Sequence, residues 1–188
     1  ELLQEPLPEA DRQAFAADVL DQTQRLQTMV DQLLELSKLE QLQAPQAPQS
    51  VVLADFCKCF VPPAQAARRQ IAIETVANVP FATVQADPVL LGLALSNLLE
   101  NAAAFSPTGS TVRVEVQGTV VSVTDSGPGA PDFALPHLGE KFFSTVRPDG
   151  VTKGSGLGLA IVSQIMALHG GRMVVRNTEP GLRVELHF

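Results

Sequence analysis

The chain has 188 residues, 45% of them apolar and 18% charged, with a formal net charge of −7. This length permits one domain with a buried core plus a smaller element, and the composition is not that of a disordered chain. The acidic balance, with nine Phe but no Trp or Tyr, argues against a nucleic-acid binder, which needs clustered Lys and Arg.

Cys57 and Cys59 are the only cysteines. A C-x-C pair with no second pair and no nearby histidine reads as two free thiols in a reducing compartment, not as a zinc site. No apolar run reaches the roughly 20 residues of a membrane span, and no signal peptide opens the chain. The expectation is a cytoplasmic piece without a membrane segment. Its opening, "ELLQEPLPEADRQAF", reads as the middle of a larger protein.

Residues 9–42 form one amphipathic helix by pattern, with Phe15, Val19, Leu26, Val30, Leu33, Leu36 and Leu39 spaced near three and four. That regular stripe favours a seam between two helices over a face on a core. "QLQAPQAPQS", residues 41–50, has no apolar periodicity and reads as a linker. The expected division is a helical segment 1–42, a linker 43–50 and a domain 51–188.

Within that domain, 51–53 and 71–76 read as strands around a helical stretch, 55–69, interrupted at Pro62-Pro63. Residues 82–87 form a short strand. Asp87 then caps a helix that has Pro88 at its first position and runs to about Phe105. Strands 110–117 and 119–126 flank a turn at Gly118. Residues 127–153 lack periodicity and form a long loop of the kind that is usually functional. A helix follows at about 155–169, then strands 172–177 and 182–188. The fold class is α+β, a two-layer α/β sandwich with a mostly antiparallel or mixed sheet, preceded by the long helix.

Three stretches carry chemistry. "KGSGLGLAIVSQ", residues 153–164, spaces Gly154, Gly156 and Gly158 as G-x-G-x-G. It follows a loop rather than a first strand and lacks Gly-Lys-Ser/Thr, so neither the Rossmann nor the P-loop reading holds. Backbone N–H groups at glycines before a helix suit an anion; they also suit a plain turn into a helix. "NLLENAAAFSP", residues 97–107, sets Asn97 and Asn101 four apart on one helix face. Two carboxamides there suit Mg²⁺ completed by phosphate oxygens and water, or are simply surface asparagines. "DSGPG", residues 125–129, ends a strand at Asp125. It is a turn signal, or a carboxylate placed to accept a hydrogen bond from the adenine amine.

Taken together, Asn97-x3-Asn101, Asp125-x-Gly127-x-Gly129, Phe142-Phe143 and Gly154-x-Gly156-Leu157-Gly158-Leu159 resemble, in order and spacing, the N, G1, F and G2 boxes of two-component sensor histidine kinases. The resemblance covers essentially the whole chain. It implies that 51–188 is an ATP-binding catalytic domain of the histidine-kinase ATPase type and that 9–42 is the second helix of a dimerisation and phosphotransfer hairpin. It assigns Asn101 to Mg²⁺, with Asn97 in support, and Asp125 to the adenine amine. Gly127 and Gly129 would let the turn pack under the base. Residues 130–153 would form a lid, with Lys141, Phe142, Arg147 and Lys153 at the nucleotide. Gly154, Gly156, Leu157 and Gly158 would line the phosphates. It further implies ATP/ADP as ligands, a homodimer through the first helix, a response regulator as partner and an inner-membrane anchor in the parent protein.

The match departs from the family in places. Ala104 and Ser144 stand where relatives often carry basic residues. The histidines are His137, His169 and His187, and none lies in the opening helix beside an acid. The fragment is therefore expected to lack the phosphoacceptor and not to phosphorylate itself. Related ATP hydrolases place a Glu four residues before the metal-binding Asn; here that position is Asn97, which disfavours hydrolysis. A catalytically degenerate dimerisation or regulatory module is the other alternative.

Overall fold

The structure is a computed structural model, described over residues 8–145 and 154–188. Arg147 and Lys153 lie outside the described residues.

Helix α1 spans Glu9–Gln41. Its apolar stripe divides. Phe15, Val19, Leu26, Val30 and Leu33 are exposed, whereas Leu36 and Leu39 are buried in the core of this same chain. The last turns of α1 pack against helix α5 (Gly158–Leu168), and Gln164 Nε2 donates to Leu39 O at 3.5 Å. A seam running the whole helix is therefore not available to a second copy: the two C-terminal leucines are already covered.

The linker leads into strand β1 (Gln49–Val52), helix α2 (Leu53–Cys59) and the short helix α3 (Ala64–Arg68). The helical stretch is interrupted before Ala64, after the two prolines, as Pro chemistry requires. Strand β2 covers Ala72–Ala77 and β3 covers Thr83–Ala86. β1 and β3 form a separate antiparallel ribbon, Gln49 opposite Ala86, a pairing that no local pattern announced. Helix α4 runs Pro88–Phe105; Asp87 Oδ1 accepts from Val89 N (3.0 Å) and Leu90 N (3.4 Å). This is the expected cap, with proline at the first helical position where no N–H is needed.

Strands β4 (Thr111–Gln117), β5 (Val120–Thr124), β6 (Arg172–Asn177) and β7 (Leu182–His187) complete a five-stranded sheet in the order β2-β4-β5-β7-β6. The β2–β4 pair is parallel and the other three are antiparallel, so the sheet is mixed. Alternation along β4 sends Val112, Val114 and Val116 inward, where they meet Val121, Val123, Val184 and Leu186 in the core with α4 and α5. The opposite face is polar, and Arg183 there bridges Glu115 and Glu185. By length and composition, α4 is the one helix among the described residues apolar enough to cross a membrane, but it is a core helix with 56% of its span buried. The sequence expectation that no apolar run reaches membrane length is corrected: α4 is such a run, and it packs in the core against the sheet and α5.

Helix α5 begins three residues later than its pattern suggested. Gly156 has φ +70°, which helical backbone does not allow, and Leu157 becomes the N-cap.

Candidate functional site

A pocket opens between α4 and the end of β5. Leu98, Asn101, Ala102 and Phe105 of α4, spaced i, i+3, i+4 and i+7, form one wall. Val123 and Val184 supply an apolar floor, Leu159 comes from α5, and Gly129, Ala130, Leu138 and Thr145 come from the long loop. Asp125 stands at the rim, just past the end of β5.

Asp125 is only 9% exposed. Its Oδ1 accepts from Gly127 N at 2.8 Å and from Leu182 N at 3.2 Å, while its own N–H donates to Leu182 O at 3.0 Å. Burial pushes the carboxyl pKa up from the ordinary aspartate value, and the two N–H bonds pull against that rise. Both bonds land on Oδ1, so Oδ2 is left for a donor in the pocket. Gly181 is what allows the close approach: it has φ +99°, and a Cβ there would overlap the Asp125 carbonyl oxygen. A side chain at that position would push β7 away from the carboxylate.

The two asparagines part company. Asn101 lines the pocket, half-buried, and its carboxamide has no hydrogen-bond partner among the described residues. Asn97 is buried and does not line the pocket; its Nδ2 donates to Leu93 O at 2.9 Å and its Oδ1 faces Gly158 at the start of α5. Four residues advance a helix by about 40° beyond a full turn, and the α5 terminus covers the side on which Asn97 lies. Of the two carboxamides only Asn101 lines this pocket, while Asn97 faces the start of α5. Leu98 and Ala102 share the pocket wall with Asn101.

Gly154 and Gly156 precede α5, and Gly158 is its first residue. No side chain caps this helix, so the first-turn N–H groups are unclaimed by a cap, the condition that suits an anion. Leu157 is fully buried and anchors the loop. Ser155, between the glycines, accepts from Leu157 N (3.3 Å) and donates to Gln32 Oε1 of α1 (2.6 Å). Phe142 N donates to Gly156 O at 3.0 Å, which ties the Phe-Phe segment to the glycine loop. Phe142 itself is exposed, with φ +64°. It does not enter the pocket. Lys141, which the resemblance sets at the nucleotide, pairs with Glu40 of α1, Nζ to Oε1 2.5 Å. Ala130, Leu138 and Thr145 fall in the segment 130–153 that the resemblance sets as a lid; the apolar floor was not foreseen, though β-strand alternation could have flagged Val123 and Val184.

Residues 86–188, the segment that builds this pocket, match the family described as Histidine kinase-, DNA gyrase B-, and HSP90-like ATPase. Over its whole length the chain is 34% identical to the Sensor protein CreC of Escherichia coli (strain K12), and it spans 41% of that protein. The structure of the cytoplasmic segment of histidine kinase QseC superposes with a TM-score of 0.61 at 28% identity, covering 88% of this chain and 93% of that one. Full-length ShkA in complex with AMPPNP superposes with a TM-score of 0.70 at 26% identity, covering 97% of this chain and 39% of that one. A family match over more than half of the chain, with sensor kinases as its relatives in both sequence and structure, makes this chain a member of the histidine kinase-, DNA gyrase B- and HSP90-like ATPases, as the catalytic domain of a sensor histidine kinase.

Proposed function

We propose that this chain binds ATP with Mg²⁺ and presents the γ-phosphoryl group to a histidine on another segment. The observation that carries the reading is Asp125: a buried carboxylate, fixed through Oδ1, with Oδ2 open to a pocket of apolar walls. Such a group accepts from the exocyclic amine of adenine and opposes the carbonyl that guanine carries there. The pocket walls suit a flat apolar base. That the structurally similar ShkA was solved in complex with AMPPNP supports an adenine nucleotide as the ligand.

Asn101 fits Mg²⁺ as one neutral oxygen ligand, with phosphate and water oxygens as the rest, and Asn97, whose Nδ2 is held by Leu93 O, keeps Oδ1 for a supporting contact beside the glycine loop. The metal would supply neutralisation of phosphate charge. The chain's own contribution is positioning: Asp125 orients the base, and the N–H groups at the start of α5 meet the phosphates. A histidine nitrogen then attacks the γ-phosphorus as the bond to the β-phosphate oxygen breaks, releasing ADP. Glu100 supports transfer over hydrolysis, because it is exposed and bonded by Ser96 Oγ at 3.1 Å. The chain's own histidines are engaged: His137 with Glu140, His187 with Glu185, and His169 at both ring nitrogens. In the parent protein, the exposed apolar residues of α1 would meet a second copy, a response regulator would receive the phosphoryl group, and a membrane anchor would lie outside these residues.

Calorimetry with ADP and ATP, with and without Mg²⁺, tests the reading. Binding in the micromolar-to-millimolar range, roughly −4 to −8 kcal/mol, is expected and should be lost in Asp125→Ala. Equal binding by both proteins would remove the adenine assignment. Labelled ATP should leave no acid-labile phosphate on this chain alone and should label an added segment that carries the acceptor histidine.

A further inference from the structure

We infer that Asn177 is the positioning residue that holds the loop side of the base pocket against Asp125; the inference rests on the adenine reading above and deepens it. Asn177 is the last residue of β6, opposite Leu182 of β7. Its Oδ1 accepts from Ala130 N at 2.8 Å and its Nδ2 donates to Ala130 O at 2.8 Å. A carboxamide bonded on both edges to one residue reproduces what a neighbouring strand would offer. Residues 130–145 contain no strand, so this side chain takes the place of one.

The position gives the pair its consequence. Gly129 and Ala130 line the pocket, and so does Asp125. Leu182 holds the Asp125 carboxylate and backbone, while Asn177, its partner across the same hairpin end, holds Ala130. The close of the β6–β7 hairpin thus sets the separation between the group that reads the base edge and the backbone that faces the base. Thr178 N donating to Gly181 O at 2.8 Å closes the turn between them. Only asparagine supplies a donor and an acceptor at this reach. Aspartate keeps the acceptor and loses the donor, glutamine is longer by one methylene, and alanine keeps neither. Because Asn177 is exposed, loss of the two bonds costs the fold little but leaves Ala130 free to move relative to Asp125.

The test compares ADP with inosine diphosphate, which carries a carbonyl in place of the 6-amine, on wild type, Asn177→Asp and Asn177→Ala. Wild type is expected to prefer ADP. Both variants are expected to weaken ADP about tenfold, a change equal to 1.4 kcal/mol, and to reduce the preference for ADP over the inosine nucleotide at least about threefold. The melting temperature should fall by no more than about 3 °C. A side chain with a purely structural role would weaken both nucleotides by one common factor, and an unchanged preference in Asn177→Asp would overturn the inference. If wild type binds the two nucleotides alike, the adenine reading fails first and this inference with it. Amide exchange at Ala130 gives a check independent of ligand: it should speed up in both variants, and unchanged exchange would also overturn the assignment.

Discussion

Lys141 Nζ and Glu40 Oε1 lie 2.5 Å apart and join the segment before the glycine loop to the first helix. Both side chains are close to half exposed, at 49% and 40%, so water and salt weaken the pair. Glu40→Gln is expected to free the ammonium and tighten ATP binding by no more than about fivefold, a gain that disappears in high salt. Lys141→Ala should weaken ATP more than adenosine if the freed cation reaches phosphates. Titrations at two ionic strengths decide the point, and equal losses for both ligands would show that Lys141 serves only the helix.

Asp125 should leave a signature in pH. Its folded pKa is raised by burial, so the native state holds this proton more firmly than the unfolded chain. Between the unfolded and folded pKa values the unfolded state binds fewer protons, so stability falls as pH rises through that window, and the cost persists above it. Asp125→Asn is expected to melt no lower than wild type at neutral pH while losing most of its nucleotide affinity. ADP affinity of wild type should fall on acidification from a higher pH than an ordinary aspartate would cause. A lower melting temperature in Asp125→Asn would mean that the charge stabilises the fold.

Gly181→Ala combines two faults, a side chain at φ +99° and an overlap with the Asp125 carbonyl. The loss should exceed about 1 kcal/mol, read from urea unfolding. ADP binding should weaken with it, because β7 can relieve the clash only by moving the N–H that Leu182 donates to Asp125. Retained stability and affinity would show that the turn can shift without disturbing the carboxylate.

His169 links the far ends of the two core helices. Its Nε2 accepts from Asp87 N at 3.0 Å, and its Nδ1 donates to Ile165 O at 2.7 Å, which fixes the neutral tautomer with the proton on Nδ1. Asp87 Oδ2 accepts from Ala47 N at 3.1 Å, so the linker joins the same point. His169→Ala leaves a partly buried N–H without its acceptor and should cost about 1–3 kcal/mol. Nucleotide binding by the folded fraction should be unchanged, because this cluster lies away from the pocket. A loss of affinity in His169→Ala would place the two sites in communication.

Much of this architecture was legible because it rests on local chemistry. Asp87-Pro88 marked the start of α4, alternation marked β4 and β5, and the resemblance to sensor histidine kinases set Asn101 and Asp125 at one site, where both line the pocket. What the sequence hid were choices made by distant neighbours. Helical period puts Asn97 and Asn101 on one face, but only the docking of α5 decides which of them meets the pocket. Leu36 and Leu39 continue a stripe whose earlier members are exposed, and nothing in that stripe says that α5 takes them. Asn177 sits in "RMVVRN" as an unremarkable strand end, and its partner is 47 residues earlier. The pair of Lys141 with Glu40 joins residues a hundred positions apart, and no local pattern displays it.

The bond from Ser155 to Gln32 has a thermodynamic consequence. Ser155 lies between two glycines of the anion loop, and Gln32 lies one turn before Leu36, which is buried under α5. A rotation of α1 large enough to withdraw Leu36 also withdraws Gln32 and changes the restraint on the loop. Any difference in nucleotide affinity between the two helix positions must then equal, as a factor, the bias that bound nucleotide exerts on the helix. If α1 takes a second position in which this bond is lost, a torque at its far end and a nucleotide bound at the loop would act on one equilibrium. Measuring either coupling gives the other.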